Sequence, residues 1–265
     1  MRCLIFILMC LSAAIPCTAR IITVDDDGPA DFNNIQAAID DSKDGDTIIV
    51  ADGIYTGDGN RDIDFIGKAI TVRSTDPNDP NIVATTIIDC NGTEEEPHRG
   101  FYFHSGEDAN SILDGLTITN GYAKYGGGIH CGLPLGSPPG PGPPPPPPPP
   151  LPPGAVGSQS SPEILSAYNL TGPTITNCII SGNYSNVGGG MHNDWLSNLT
   201  LTNCTFIGNS ASDSGGGMDN GWSIKATLEN CTFSENSAQS GGGMYNSEDS
   251  KTTLTNCSFC GNSAS

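Results

Sequence analysis

The cysteines of this chain keep a regular beat. Cys178, Cys204, Cys231 and Cys257 recur at intervals of 26, 27 and 26, each directly after an Asn. Seven cysteines lie beyond residue 19, an odd number that does not suit a closed disulfide framework. Cys257-x-x-Cys260 is a lone pair with no second pair and no His partner, so it is weak evidence for zinc or redox chemistry. The spacing instead suits a column of small buried hydrophobes carrying free thiols, with disulfides between neighbouring coils as the alternative. His98, His104, His130 and His192 show no metal-ligand spacing and read as surface or edge residues. Asp25-Asp26-Asp27-Gly28 lacks the spaced oxygens and distal Glu of an EF-hand loop; it reads as a solvated turn, with Ca2+ binding as the sharper alternative.

Acid–base chemistry finds little purchase. A glycoside hydrolase wants clustered carboxylates, and a lyase wants acidic calcium ligands with an Arg or Lys base. Asp194, Asp213, Asp219 and Asp249 do not recur at one repeat position, no Arg follows Arg99, and Lys225 and Lys251 are the only cations of the regular repeats. The sequence assigns no catalytic and no cofactor-binding residue, and leans away from an enzyme. One binding feature stands out. Trp195 and Trp222 each sit four residues after a repeat Met and nine before a repeat Cys, so they should stack on adjacent coils. Exposed, they would form an aromatic platform for a sugar ring; buried, they are loop packing.

These positions imply a repeating scaffold. Two residues after each repeat Cys stands Ile180, Phe206, Phe233 or Phe259, and three further on Asn183, Asn209, Asn236 or Asn262. Triple glycines follow, closed by Met191, Met218 and Met244. An earlier copy runs Leu116-Thr-Ile-Thr-Asn120 and then Gly126-Gly-Gly-Ile129. Leu199-Thr-Leu-Thr202 alternates with period two, as a strand does. Asn203 then interrupts it, and Asn tolerates the left-handed backbone of a one-residue corner. Beyond the corner Cys204 and Phe206 point inward and Thr205 outward. Two or three short strands in about 26 residues make one coil of an all-β, right-handed parallel β-helix, a solenoid whose coils stack ~4.8 Å apart. The cysteines, the phenylalanines and the corner asparagines then form columns, the last with amides bonding along the axis. No repeat has room for a helix, which excludes alternating β and α units, and the leucine pattern of leucine-rich repeats is absent.

The ends depart from the repeat. Arg2, an apolar run from Cys3 to Ile15 and Pro16-Cys17-Thr18-Ala19 read as a signal peptide over residues 1–19, with the exported chain starting at Arg20. A lipid anchor at Cys17 is disfavoured by Pro16, and no other segment could cross a bilayer. Asp31 is placed to cap a short helix over Phe32 to Ser42, with Phe32, Ile35, Ala38 and Ile39 on one face, covering the open end of the solenoid. Short strands follow over Thr47–Val50, Ala69–Arg73, Thr86–Asp89, Gly100–His104 and Ile112–Thr119. A Pro-rich insertion at about 132–161 interrupts the solenoid. The step from Ile129 to Cys178 is 49 where the matching step from Met191 to Cys204 is 13, a difference of 36. Eight consecutive prolines at 143–150 make it a polyproline II excursion. The chain stops within a repeat, which reads as C-terminal truncation of a longer protein.

Phe206-Ile-Gly-Asn209, Phe233-Ser-Glu-Asn236 and Phe259-Cys-Gly-Asn262, with Gly-Gly-Gly-Met in place of Gly-Gly-Ala-apolar, resemble the repeats of the chlamydial polymorphic outer membrane proteins. The stretch from Ile35 to Val50, with Gly53-Ile-Tyr55, is similar to the start of many bacterial pectin-lyase-like β-helix proteins. The resemblance implies a secreted or cell-surface protein, with the outer membrane as one location, and a fold that hosts enzymes and adhesins alike. A net charge of −19 repels nucleic acid and anionic lipid. The reading is therefore an adhesin-like or structural β-helix protein that binds extracellular glycans or another surface component. The alternative is a polysaccharide lyase or hydrolase acting on pectin-like acidic polymers.

Overall fold

A computed structural model describes residues 18–132, 172–194, 198–221 and 224–265. The chain winds as a right-handed parallel β-helix. Each regular coil holds four strands, one more than the upper sequence expectation. In one coil they are Asn198–Thr202, Thr205–Ile207, Ser210–Ser214 and Met218–Asn220. Equivalent strands pair in parallel with the coils before and after, giving four sheets of eight, seven, five and five strands among the described residues.

Three corners separate the strands, and each uses a left-handed backbone. The first holds Asn177, Asn203, Asn230 and Asn256, with φ between 52° and 55°. Their side chains form the expected ladder: Asn203 Nδ2 donates to Asn177 Oδ1 at 3.0 Å and Asn230 Nδ2 to Asn203 Oδ1 at 3.1 Å. The second corner holds Gly182, Gly208, Glu235 and Gly261, and the third Gly188, Gly215 and Gly241. The two glycines after the third corner serve close approach: a Cβ on Gly189 or Gly216 would strike the carbonyl oxygens of the next coil.

Register puts like over like. In the first sheet Ile22, Ile48, Val72, Leu113, Ile175, Leu201, Leu228 and Leu254 lie in one inward column. In the second, Ile180, Phe206, Phe233 and Phe259 align, with the Phe206 and Phe233 ring centroids 4.6 Å apart and the planes nearly parallel at 5°. Cys178, Cys204 and Cys231 are buried at successive coils and Cys257 packs against them; all are free thiols. Burial raises the Cys178 thiol to about 12. Burial, with the Cys231 thiol in contact, also drives Cys204 well above its ordinary range, and the same contact holds Cys231 below its own, at about 7.

A second Asn column runs inside the core. Asn209 is fully buried: its Nδ2 donates to Asn236 Oδ1 at 3.0 Å and to the Ile180 carbonyl at 2.8 Å. Its Oδ1 accepts from the backbone N and the Nδ2 of Asn183, both at 3.0 Å. Every donor and acceptor of the amide is met, which is what permits its burial. Asn193, Asn220 and Asn246 make a third ladder on the fourth sheet, at 2.6 and 2.8 Å.

The N-terminal helix starts later than its sequence suggests. It spans Ile35–Asp41 and is capped by Asn34, whose side chain accepts from Ala37 N at 2.9 Å. Asp31 is drawn elsewhere, accepting from the Thr23 backbone and hydroxyl at 2.8 and 2.9 Å. Phe32 bridges Val24 instead of joining the helix, while Ile35, Ala38 and Ile39 are buried as expected. A second helix, Pro80–Thr85, carries Pro at its start and Asp79 as its cap. The Ile112–Thr119 stretch divides into Ile112–Asp114 and Thr117–Thr119, because Gly115 turns the first corner there at φ 71°. The Pro-rich stretch lies outside the described residues. Its flanks pair without a slip: Ile129 aligns with Met191 and Ile112 with Thr174, so it departs between a fourth-sheet strand and the next first-sheet strand.

Candidate functional site

The outward positions of the first two sheets mix Thr and Ser with residues such as Ile21, Arg73, Lys225 and Ile207. The third and fourth sheets differ. On the third, Tyr122 and Tyr184 are in register on adjacent coils, half-buried, with ring centroids 4.9 Å apart at 23°. The next positions of that column are Ser210 and Ser237. Trp195 and Trp222, the sugar platform expected from sequence, lie outside the described residues.

On the fourth sheet, Tyr102, His130, His192, Asp219 and Tyr245 occupy one outward register position. They alternate with inward Phe101, Ile129, Met191, Met218 and Met244 on the same strands. The first three outward residues bring their rings together: Tyr102 lies 5.0 Å from His130 and 3.9 Å from His104, and His130 lies 5.2 Å from His192. Tyr125 leans over His192 at 5.3 Å, and Arg99 stands 4.8 Å from the Tyr102 ring centre.

The expectation that all four histidines sit at the surface or an edge fails for two of them. His130 is only 9% exposed and His192 6%. The Pro-rich insertion hides their kinship, because it stretches a single coil step into a much longer separation along the chain. Subtracting the insertion from the spacing would have brought them to the same repeat position. Tyr122 and Tyr184 flank the same insertion and are hidden in the same way. His98 and His104 are more open, and pair with Asp62 at 2.6 Å and Asp64 at 3.3 Å.

The hydrogen bonds fix the two buried imidazoles differently. Arg99 Nη1 lies 2.8 Å from His130 Nδ1. A guanidinium only donates, so Nδ1 accepts and the ring proton sits on Nε2. Burial, with His192 and Arg99 close by, holds His130 well below its usual titration range and therefore neutral. His130 Nε2 is buried with no hydrogen-bond partner. His192 Nδ1 lies 3.2 Å from Asp219 Oδ1 in a buried pair, and Asp219 Oδ2 accepts from Ser214 Oγ at 2.7 Å. A carboxylate accepts, so His192 donates from Nδ1 and turns the Nε2 lone pair outward. Sequence reasoning sought carboxylate pairs and so passed over this His–Asp pair on adjacent coils.

One ring nitrogen of His130, one of His192 and a carboxylate oxygen of Asp194 lie within 4.8 Å of one another. Carboxylate oxygens of Asp25, Asp26 and Asp27 converge as closely, but Asp26 and Asp27 are exposed and Asp25 Oδ1 accepts from the Asp27 and Gly28 backbone at 3.2 and 3.0 Å. That is the geometry of a turn. Apart from these, a cavity of about 320 Å³ follows the first corner, lined by Pro77, Pro80, Val83, Asn177 and Asn203 among others.

The coil geometry has a counterpart among known sequences. Residues 156–265 match the family described as right handed beta helix region. No curated protein matches the chain. Among solved structures it is similar to a pectin methylesterase from carrot, at 11% identity and a TM-score of 0.38, over 90% of this chain and 82% of that one. A likeness of that size carries no argument about activity. No helix among the described residues is long and apolar enough to cross a membrane.

Proposed function

We propose that this is a secreted or cell-surface β-helix repeat protein, adhesin-like or structural, that binds extracellular glycans on its outer face. The Tyr122–Tyr184 stack carries the reading. The two half-buried rings cover the faces they share, and the Ser210 side of Tyr184 is the remaining apolar face, with a hydroxyl alongside; sugar rings stack on such faces through their C–H groups. The chain's net charge of −19 favours neutral glycans over acidic ones. Tyr122→Ala and Tyr184→Ala remove outward side chains and spare the core columns. Each should abolish binding on a glycan array while leaving the circular dichroism spectrum unchanged. Undiminished binding by both variants would overturn the proposal.

A second reading, a lyase or hydrolase acting on pectin-like acidic polymers, draws on the His192–Asp219 pair and Arg99. An imidazole backed by a carboxylate is a serviceable general base. Its test is release of unsaturated or reducing ends from such polymers by the purified protein, with loss of release in His192→Ala.

A further inference from the structure

We propose that His130, His192 and Asp194 form a binding site for a divalent transition metal ion of the zinc type, on the outer face of the fourth sheet. The inference rests on neither functional reading above. Three observations point the same way. Two imidazole nitrogens and a carboxylate oxygen converge within 4.8 Å of one another. A tetrahedral ion with bonds of about 2.0–2.2 Å separates its ligands by roughly 3.3 Å, so the three atoms would have to draw closer than that 4.8 Å limit to hold one. His130 Nε2 is buried without a partner, in a ring nine-tenths withdrawn from solvent; in the tautomer that Arg99 holds it is an N–H donor, and with the proton on Nδ1 instead it offers a lone pair to a metal ion. It lies on the Asp194 side: a Cβ placed on Gly132 would sit 3.5 Å from His130 Nε2 and 3.8 Å from Asp194 Cβ, and glycine leaves that space open. Finally, Asp219 accepts from His192 Nδ1, the outer carboxylate that orients a metal-binding imidazole and fixes its tautomer.

The donor set selects the ion. Two nitrogens and one oxygen suit Zn2+ and its neighbours, whereas Ca2+ and Mg2+ want oxygen throughout. Three protein ligands leave a fourth position for water or an exogenous group. Coordination at His130 Nε2 would require the ring proton on Nδ1, and Arg99 would then have to turn away from that N–H and keep only its other acceptor, the Tyr125 carbonyl at 2.8 Å.

The test is calorimetric titration of the whole chain with Zn2+. It should be run in a Cys260→Ser background, because that thiol is exposed and could itself take zinc. One ion per chain is expected, with affinity falling at least tenfold in His130→Ala, His192→Ala and Asp194→Asn. Asp194 is not buried, so Asp194→Asn remains decisive even if a His variant fails to fold. Co2+ in place of Zn2+ should give weak visible bands of nitrogen and oxygen ligation. Absence of stoichiometric binding, wild-type affinity in Asp194→Asn, or an intense thiolate–cobalt band would each overturn the proposal.

Discussion

At the scale of residues, asparagine does two jobs that sequence alone makes look like one. Asn203 turns a corner at the surface, where water can replace its ladder bond and glycine can adopt its φ of 55°. Asn209 is buried, and four hydrogen bonds converge on its amide. Asn209→Ala strands two donors of Asn183 and the Ile180 carbonyl away from water, and should cost about 3 kcal/mol or more in urea unfolding. Asn203→Gly should cost about 1 kcal/mol or less. Equal costs would contradict the assignment of the inner column. Thiol chemistry checks the neighbouring column. Cys260 is exposed and should react first with a disulfide reagent in the native protein, while Cys90, Cys131, Cys178, Cys204 and Cys231 should react only on unfolding. The Cys column and the corner asparagines were legible because their residue types repeat. The inner Asn column repeats too, but nothing local distinguishes a buried amide from a corner one. The buried His130–His192 contact was legible only after subtracting the insertion from the spacing.

Among elements, strands declare themselves when their inward residues are large. The first two sheets bury Leu, Ile, Cys and Phe at alternating positions, and their strands follow from that alternation. The third sheet buries Ala123, Ser185, Ala211 and Ala238, so its strands read as polar loop, and a fourth strand per coil was not visible. The helix boundary moved for a different reason. Asp31 and Asn34 are both good caps, and the choice went to Asn34 once Thr23 engaged Asp31 across the coil. Packing sets the cost of changes in the second sheet. Phe206→Ala should cost ~3–5 kcal/mol, as for a fully buried aromatic, and outward Thr205→Ala should cost little. Phe259 stacks on Phe233 but is 45% exposed, so Phe259→Ala should cost clearly less than Phe206→Ala. A denaturant series in which all three variants lose the same stability would contradict this order.

For the whole molecule, coil on coil is the organising contact: each repeat touches chiefly its neighbours. A residue's neighbours are therefore those one coil away, even when the whole Pro-rich stretch intervenes, as for Tyr122 with Tyr184 and His130 with His192. The candidate glycan face and the candidate metal site both arise this way, from strands on either side of that stretch. Cross-linking tests the stacking most directly. Thr205, Thr232 and Ser258 occupy one outward register position on three successive coils. Adjacent coils lie ~4.8 Å apart, within disulfide reach, and alternate coils roughly 9.6 Å apart, beyond it. In a Cys260→Ser background, Thr205→Cys with Thr232→Cys should form an intramolecular disulfide under mild oxidation, and Thr205→Cys with Ser258→Cys should not. Equal cross-linking of the two pairs, or none in the first, would contradict the stacked-coil account.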